Sequence, residues 1–257
     1  MFLLDFDSSA AIIEPASVVD KVAEMPKTCI GVFSHLLVEE WAQKHNAEVI
    51  TRHKSVCGDR DIYKIEVEQY EFALFVPHVG APGAAGCMEE LIAKGAERFI
   101  FCGCCGVLRH DIADGHLIIP TAAIRDEGVS FHYAEPSDEI LLEARMVHLI
   151  SEEFNCLGLP YVQGKVWTTD AFFRETPRKM EKAKEMGAIC VDMECAALAA
   201  VAGFRNVPFV QFFWSADNLD APEWDRRGLS TKGSSVSEKC MIAAIQLAKR
   251  FEELPIA

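Results

Sequence analysis

The segment Val191–Gly203 (VDMECAALAAVAG) constrains this chain more than any other. Its only charges are Asp192 and Glu194, and from Cys195 onward none follows until Arg205. A run this apolar reads as a largely buried helix, and the rest of the chain must supply the layers that bury it. A carboxylate at the mouth of such a run is costly to desolvate unless something hydrogen-bonds it. Two readings meet that demand. The acids can mark a helix N-terminus, where the dipole favours negative charge, or a carboxylate can grip a bound donor such as a sugar diol.

Around this segment, short apolar runs alternate with amphipathic stretches, the pattern of an α/β domain. Strands are predicted at Thr28–Phe33, Phe72–Val79, Arg98–Cys102, His116–Ala122, Tyr161–Thr168 and Val207–Trp214. Several are apolar throughout, as strands covered on both faces are. Helices are predicted at Ala84–Lys94, closed by Gly95, and at Asp138–Phe154, Pro177–Met186 and Ser235–Glu252. The tail after Glu253 is expected to fray. With 257 residues and no repeat or low-complexity linker, residues 1–257 read as one domain with a sizeable core.

A formal net charge of −14 argues against a nucleic-acid surface, which needs clustered Lys and Arg. It also gives no long-range field for an anionic substrate, so any anion site must be local. No apolar run reaches membrane-spanning length. The N-terminal MFLLDFDSSAAIIEP carries acids where a signal peptide carries positive charge, so a cytoplasmic protein is expected. Ten cysteines without small-scaffold spacing then read as free thiols. Cys102, Cys104 and Cys105 form a C-x-C-C run with no second pair or nearby histidines, a poor zinc pattern. Packing thiols are the expected reading, and no metal or organic cofactor is implied.

Three predicted strands end in glycine- or acid-bearing turns: His78–Ala85 after Val76, Gly103–Gly106 after Phe101, and Trp214–Leu219 after Phe213. Ligands in open α/β sheets lie beyond the carboxyl ends of strands, where glycines let them approach the backbone. Three such turns together with Glu194 point to a site.

Four segments carry a resemblance to a known family: VGAPGAAGCMEELIAKGAERFIFCGCCGVL (79–108), DGHLIIPTAAIRDEGVSFHY (114–133), TTDAFFRET (168–176) with VDMECAAL (191–198), and SADNL (215–219). In this order they resemble the nucleoside phosphorylase superfamily, specifically its uridine phosphorylase-like branch. The resemblance implies a three-layer α/β fold with a mixed central sheet flanked by helices. It also implies cleavage of a nucleoside N-glycosidic bond, with inorganic phosphate as co-substrate or, in nucleosidase relatives, water. Met193 and Glu194 match the pair that holds ribose. Phe172 matches an aromatic against base or sugar, and ordinary core is its alternative. Asp217 matches the acid that protonates a departing purine, and an Asx turn is its alternative. Arg178 stands where a pyrimidine-binding arginine is kept, but the glutamine that precedes it by two is here Thr176, so it also reads as a solvated helix residue. Gly103 and Cys104 would lie beside the nucleophile. A homo-oligomer, dimer or hexamer, is implied as well.

The likeness fails at the phosphate site. A gapless reading puts Phe33 and Leu37 where the first loop's glycine and arginine belong. Phe101 stands for a strand arginine, and Cys104 for the threonine of a G-T-x-G turn. Most charge-assisted bonds to a phosphate are thereby lost. Ser34 and His35 lie in the right loop as substitutes, and Arg52, His53, Lys54 and Arg60 lie where relatives reach into a neighbouring subunit; solvated surface is the plainer reading of each. Glu39 or Glu40 could activate water in a hydrolase, and both also read as exposed helix acids. Three functions remain open: phosphorolysis with a remodelled anion site, hydrolysis, and a silent nucleoside-binding protein.

Overall fold

The computed structural model describes residues 4–227, 229 and 234–253, and joins ten strands among them into one mixed sheet. Its middle is β1 (Thr28–Val32), parallel to β4 (Tyr70–Phe75) on one side and to β5 (Arg98–Val107) on the other. Beyond β4 lie β3 (Arg60–Val67) and β2 (Glu48–His53), paired antiparallel. The other edge of β5 pairs in parallel with β10 (Phe209–Asn218). β6 (Leu117–Asp126) and β8 (Tyr161–Thr169) then lead to β9 (Ala188–Asp192), which returns to β5 at Gly106 and Val107. Five strands thus close a ring, and β1 to β4 extend from it as an open sheet.

One edge of β5 therefore changes partner. It pairs with β1 up to Cys102 and with β9 from Gly106 onward. Between them, Gly103, Cys104 and Cys105 have no strand beside that edge. The sheet opens at a point of partner exchange, the kind of place where α/β folds bind ligands.

Helices cover both faces. α2 (Ala81–Lys94) and α5 (Cys195–Arg205) bury Met88, Leu91, Leu198 and Val201 against Phe99, Phe101 and Phe213. α1 (His35–Lys44), α3 (Ala144–Cys156) and α6 (Ser234–Glu253) bury Trp41, Ile150 and Met241 against Ile30, Ile100 and Phe212. α4 (Pro177–Glu185) covers Trp167 and Val191 at the end of the ring. The alternation of β5 and β10 residues between the two cores follows from the period-2 geometry of a strand. This is the expected three-layer α/β architecture.

Several boundaries differ from the sequence reading. Val191–Gly203 is not one helix: β9 runs to Asp192 and α5 starts at Cys195. Asp192 makes the break, because its carboxylate accepts from the Glu194 and Cys195 N–H groups at 3.0 and 2.7 Å, capping α5. The predicted helix from Asp138 begins only at Ala144, because β7 (Glu139–Leu141) pairs with the edge of β6. β2 and β3 escaped prediction; their alternating charges suit an edge hairpin. Gly103–Gly106 is not a turn but the second half of β5, and Ser215–Asn218 continues β10 through a bulge between Ser215 and Asp217. The glycines are there for space: a Cβ on Gly103 would stand 3.0 Å from the Phe33 ring, and one on Gly106 would meet Leu219 at 2.6 Å. The tail after Glu253 lies outside the described residues. No described helix is long and apolar enough to cross a membrane.

Gly31 is hemmed in by two buried rings, since a Cβ there would lie 2.6 Å from Phe101 and 2.9 Å from Phe75. Gly31→Ala should lower stability by about 1–3 kcal/mol through overpacking. Urea unfolding measures this, and an unchanged midpoint would contradict the packing described.

Candidate active site

The partner exchange along β5 opens into a cavity of about 710 Å³. Phe33, Gly103, Cys104 and Gln211 line one part of it; Glu175, Asp217, Leu219 and Trp224 line another; Met193 and Glu194 also face it. Phe172 and Phe173 stand at the mouth, 51% and 86% exposed, with ring centroids 3.9 Å apart.

Glu194 is 6% exposed and sits at the N-cap position of α5, yet its side chain caps nothing there. Its Oε1 instead accepts the N–H of Gly80, 2.7 Å away. Gly80 is the N-cap of α2, and its φ of 92° is a left-handed conformation that glycine adopts freely. The carboxyl thus lies between two helix N-termini, where the Gly80 N–H and the nearby Met193 N–H favour its ionised form. Burial, then the nearby Asp192 charge, pushes its pKa up to about 8. Asp192 is raised by burial to about 6, against bonds from the Thr168 hydroxyl and two backbone N–H groups. The two acids divide the work: Asp192 is consumed by the fold and Glu194 is left facing the cavity.

Asp217, half-buried on β10, accepts the Trp224 indole N–H at 2.7 Å. Burial raises its pKa. Glu175, just after the Phe172–Arg174 turn, is pushed up to about 7 by burial and by the Asp217 charge. Glu175 thus holds a proton near neutral pH beside Asp217, and the two can share it. The Cys104 thiol is exposed to the lumen but wrapped by protein, and burial, Asp217 and Glu194 raise its pKa to about 11. Cys102 and Cys105 are buried packing thiols, and no described cluster of His, Cys, Asp or Glu is placed to hold a metal ion.

The structure brings Glu194, Met193, Asp217, Phe172, Gly103 and Cys104 to one cavity. It does not bring Arg178 or Ser34. Arg178 points away on the exposed side of α4, whose first turn is fixed instead by the Thr176 hydroxyl. Ser34 is the half-buried N-cap of α1, and Phe33 takes the place facing the cavity. His35 and Glu39 pair on the outer face of α1, Glu40 is exposed there, and Arg52 pairs with Asp61. His53 is not surface: it is buried 2.9 Å from Glu90 Oε2, though off the hydrogen-bonding direction. No Lys, Arg or His lines the cavity among the described residues. Sequence reasoning missed Glu175, Gln211 and Trp224. Glu175 stood inside a quoted motif, while Gln211 and Trp224 carried no signal.

The phosphorylase superfamily model matches residues 29–253. The chain belongs to this superfamily. Among its relatives, a guanosine phosphorylase of Halorubrum lacusprofundi is 28% identical over 65% of this chain and 76% of its own length. A DeoD-type purine nucleoside phosphorylase of Colwellia psychrerythraea is 29% identical over 61% and 66%. A uridine phosphorylase of Thermococcus kodakarensis is 35% identical, over 37% of this chain and 34% of its own. Two solved structures share the superfamily fold. They are an AMP nucleosidase from Bacteroides thetaiotaomicron (TM-score 0.72, 21% identity, 90% and 91% covered) and a purine nucleoside phosphorylase from Toxoplasma gondii in complex with immucillin-H (0.73, 17%, 88% and 93%).

Because Glu194 is raised from 4.5 to about 8 in the folded protein, its stability contribution is full below pH 4.5 and declines as pH rises through 8. Glu194→Gln keeps the Gly80 bond and removes the ionisation. The variant should gain on wild type as pH rises across that window, by about 4–5 kcal/mol at pH 9. Chemical unfolding at several pH values checks this; a gap independent of pH would contradict it.

Proposed function

We propose that this chain cleaves the N-glycosidic bond of a nucleoside. The observation that carries the reading is the Glu194 carboxyl: buried, held by backbone N–H groups and by no side chain, and lining a largely apolar cavity. Two vicinal sugar hydroxyls are the donors such a group lacks, and Met193 packs beside them. The base then lies toward Asp217, Glu175 and Trp224, with Phe172 as a wall. Cleavage builds positive charge on the sugar and negative charge on the base. Glu194, protonated in the empty site, ionises once the two hydroxyls donate to it and then favours the first; the Asp217–Glu175 pair neutralises the second by giving a proton to the base nitrogen as the C1′–N bond breaks.

The acceptor is either phosphate, as the relatives' names imply for them, or water. The cavity favours the neutral one. No described cation lines it, so a phosphate there finds no charge-assisted donor, and any carboxyl that ionises about 5 Å from it costs about 3 kcal/mol at an effective dielectric near 20. Phe33 and Phe101, 6.2 Å apart between centroids, fill with rings the positions where the family resemblance places a glycine and an arginine. The same reading carries a cytoplasmic homo-oligomer, supported by the exposed apolar Val79 and Phe173 at the mouth; sedimentation should give a dimer or hexamer, and a monomer would refute it.

A panel of purine and pyrimidine nucleosides, incubated with and without phosphate, tests the reaction. Base release that ignores phosphate is expected; a strict phosphate requirement would reverse the choice of acceptor. Glu194→Ala should lower kcat/KM about 100-fold or more, the value of two hydrogen bonds to a charged group. Binding of a nucleoside with no turnover would leave a binding protein instead.

A further inference from the structure

Gln211 is the residue the fold does not explain. It is 0% exposed, and neither its Nε2 nor its Oε1 has a hydrogen-bond partner. It lies on β10 between Phe209 and Phe213 on the same face, directly across from Phe101 on β5. These neighbours offer nothing polar, so a Leu or Met would pack there without an unpaired amide. An unsatisfied buried amide destabilises a fold unless a partner arrives from elsewhere, and the one open direction is the cavity that Gln211 lines.

Its place along the strand says what that partner is. Asp217 follows six residues later on the same strand, about 20 Å away at full strand rise. The two residues therefore stand well apart along the one cavity that both line. Glu194 enters the same cavity from the junction of β9 and α5. A nucleoside with its base at Asp217 and its diol at Glu194 leaves the Gln211 end for whatever attacks the sugar's far side. Phe33, Gly103 and Phe213 close that end with apolar surface and no charge.

We propose that Gln211 holds the acceptor there, a neutral hydroxylic molecule, which in hydrolysis is water. This rests on the glycosidic cleavage proposed above. The amide offers one acceptor oxygen and two donor hydrogens, the complement of a molecule that both donates and accepts. Oε1 takes a hydrogen bond from the water and turns its lone pair toward C1′. As the C1′–O bond forms, the C1′–N electrons leave with the base, which takes a proton from the Asp217–Glu175 pair. The attacking water sheds its proton to solvent as the sugar product leaves, and the pair takes one back from solvent when the base departs. Gln211 itself gains and loses none.

The test is Gln211→Met, close in shape and without the amide. It should lower kcat for base release about 10- to 100-fold, leave KM within about 2-fold, and raise Tm, because an unsatisfied polar group leaves the core. With methanol as competing acceptor, the variant should also give more methyl riboside relative to free ribose than the wild type does. An unchanged kcat with an unchanged product ratio would overturn the assignment. So would a lower Tm with kcat and KM both degraded, which marks Gln211 as a structural residue. A wild type that releases base from no nucleoside overturns the proposed function and this assignment together; one that does, beside an unaffected variant, overturns this assignment alone.

Discussion

The site depends on one hydrogen bond, from the Gly80 N–H to Glu194 Oε1. It joins the start of α2 to the start of α5, segments far apart in sequence that pack together on one face of the sheet. Each end of the bond is prepared locally. Gly80 turns its N–H inward through a left-handed φ. Asp192 takes over the helix cap that Glu194 would otherwise make, freeing the Glu194 side chain. The Thr168 hydroxyl binds Asp192 and in turn accepts the Ala196 N–H, which ties β8 into the same arrangement. A carboxyl held at one oxygen by a fixed donor needs no reorganisation to receive a ligand at the other.

The electrostatics of the cavity follow from where charge is absent. Acids are concentrated in a place that water reaches poorly, and no described cation offsets them. Burial therefore keeps protons on groups that are ionised in solution, Glu194 and Glu175 most clearly. A site so built is suited to neutral substrates and to proton delivery, and poorly suited to anions. The charged residues that the sequence offered for an anion site are spent elsewhere: Arg52 on Asp61, His35 on Glu39.

Much of this was legible in the sequence, and the failures have physical causes. Glu194 stood out because a lone acid before an uninterrupted apolar run is rare without a reason. The α/β class followed from the alternation of runs, and the helix ending at Gly95 from its cap. The boundary inside AICVDMECAAL was invisible, because strand and helix there are both apolar and periodicity cannot separate them. The glycines of β5 read as a turn although they mark close packing within a strand. Gln211, in FVQFFW, looks like an ordinary polar interruption; only tertiary structure reveals that nothing pairs with it. For Arg178 the missing glutamine at Thr176 was the better guide than the spacing: the solvated alternative is the one that α4 exposes.

The central claim is that a protonated Glu194 ionises when it grips a sugar. Calorimetric titration of wild type and Glu194→Gln with an uncleavable C-nucleoside, in buffers of different ionisation heat, counts the protons that move. At pH 7 the wild type should release close to one proton more than the variant, and the difference should vanish above pH 9. Tight binding with equal proton release in both proteins would contradict the account.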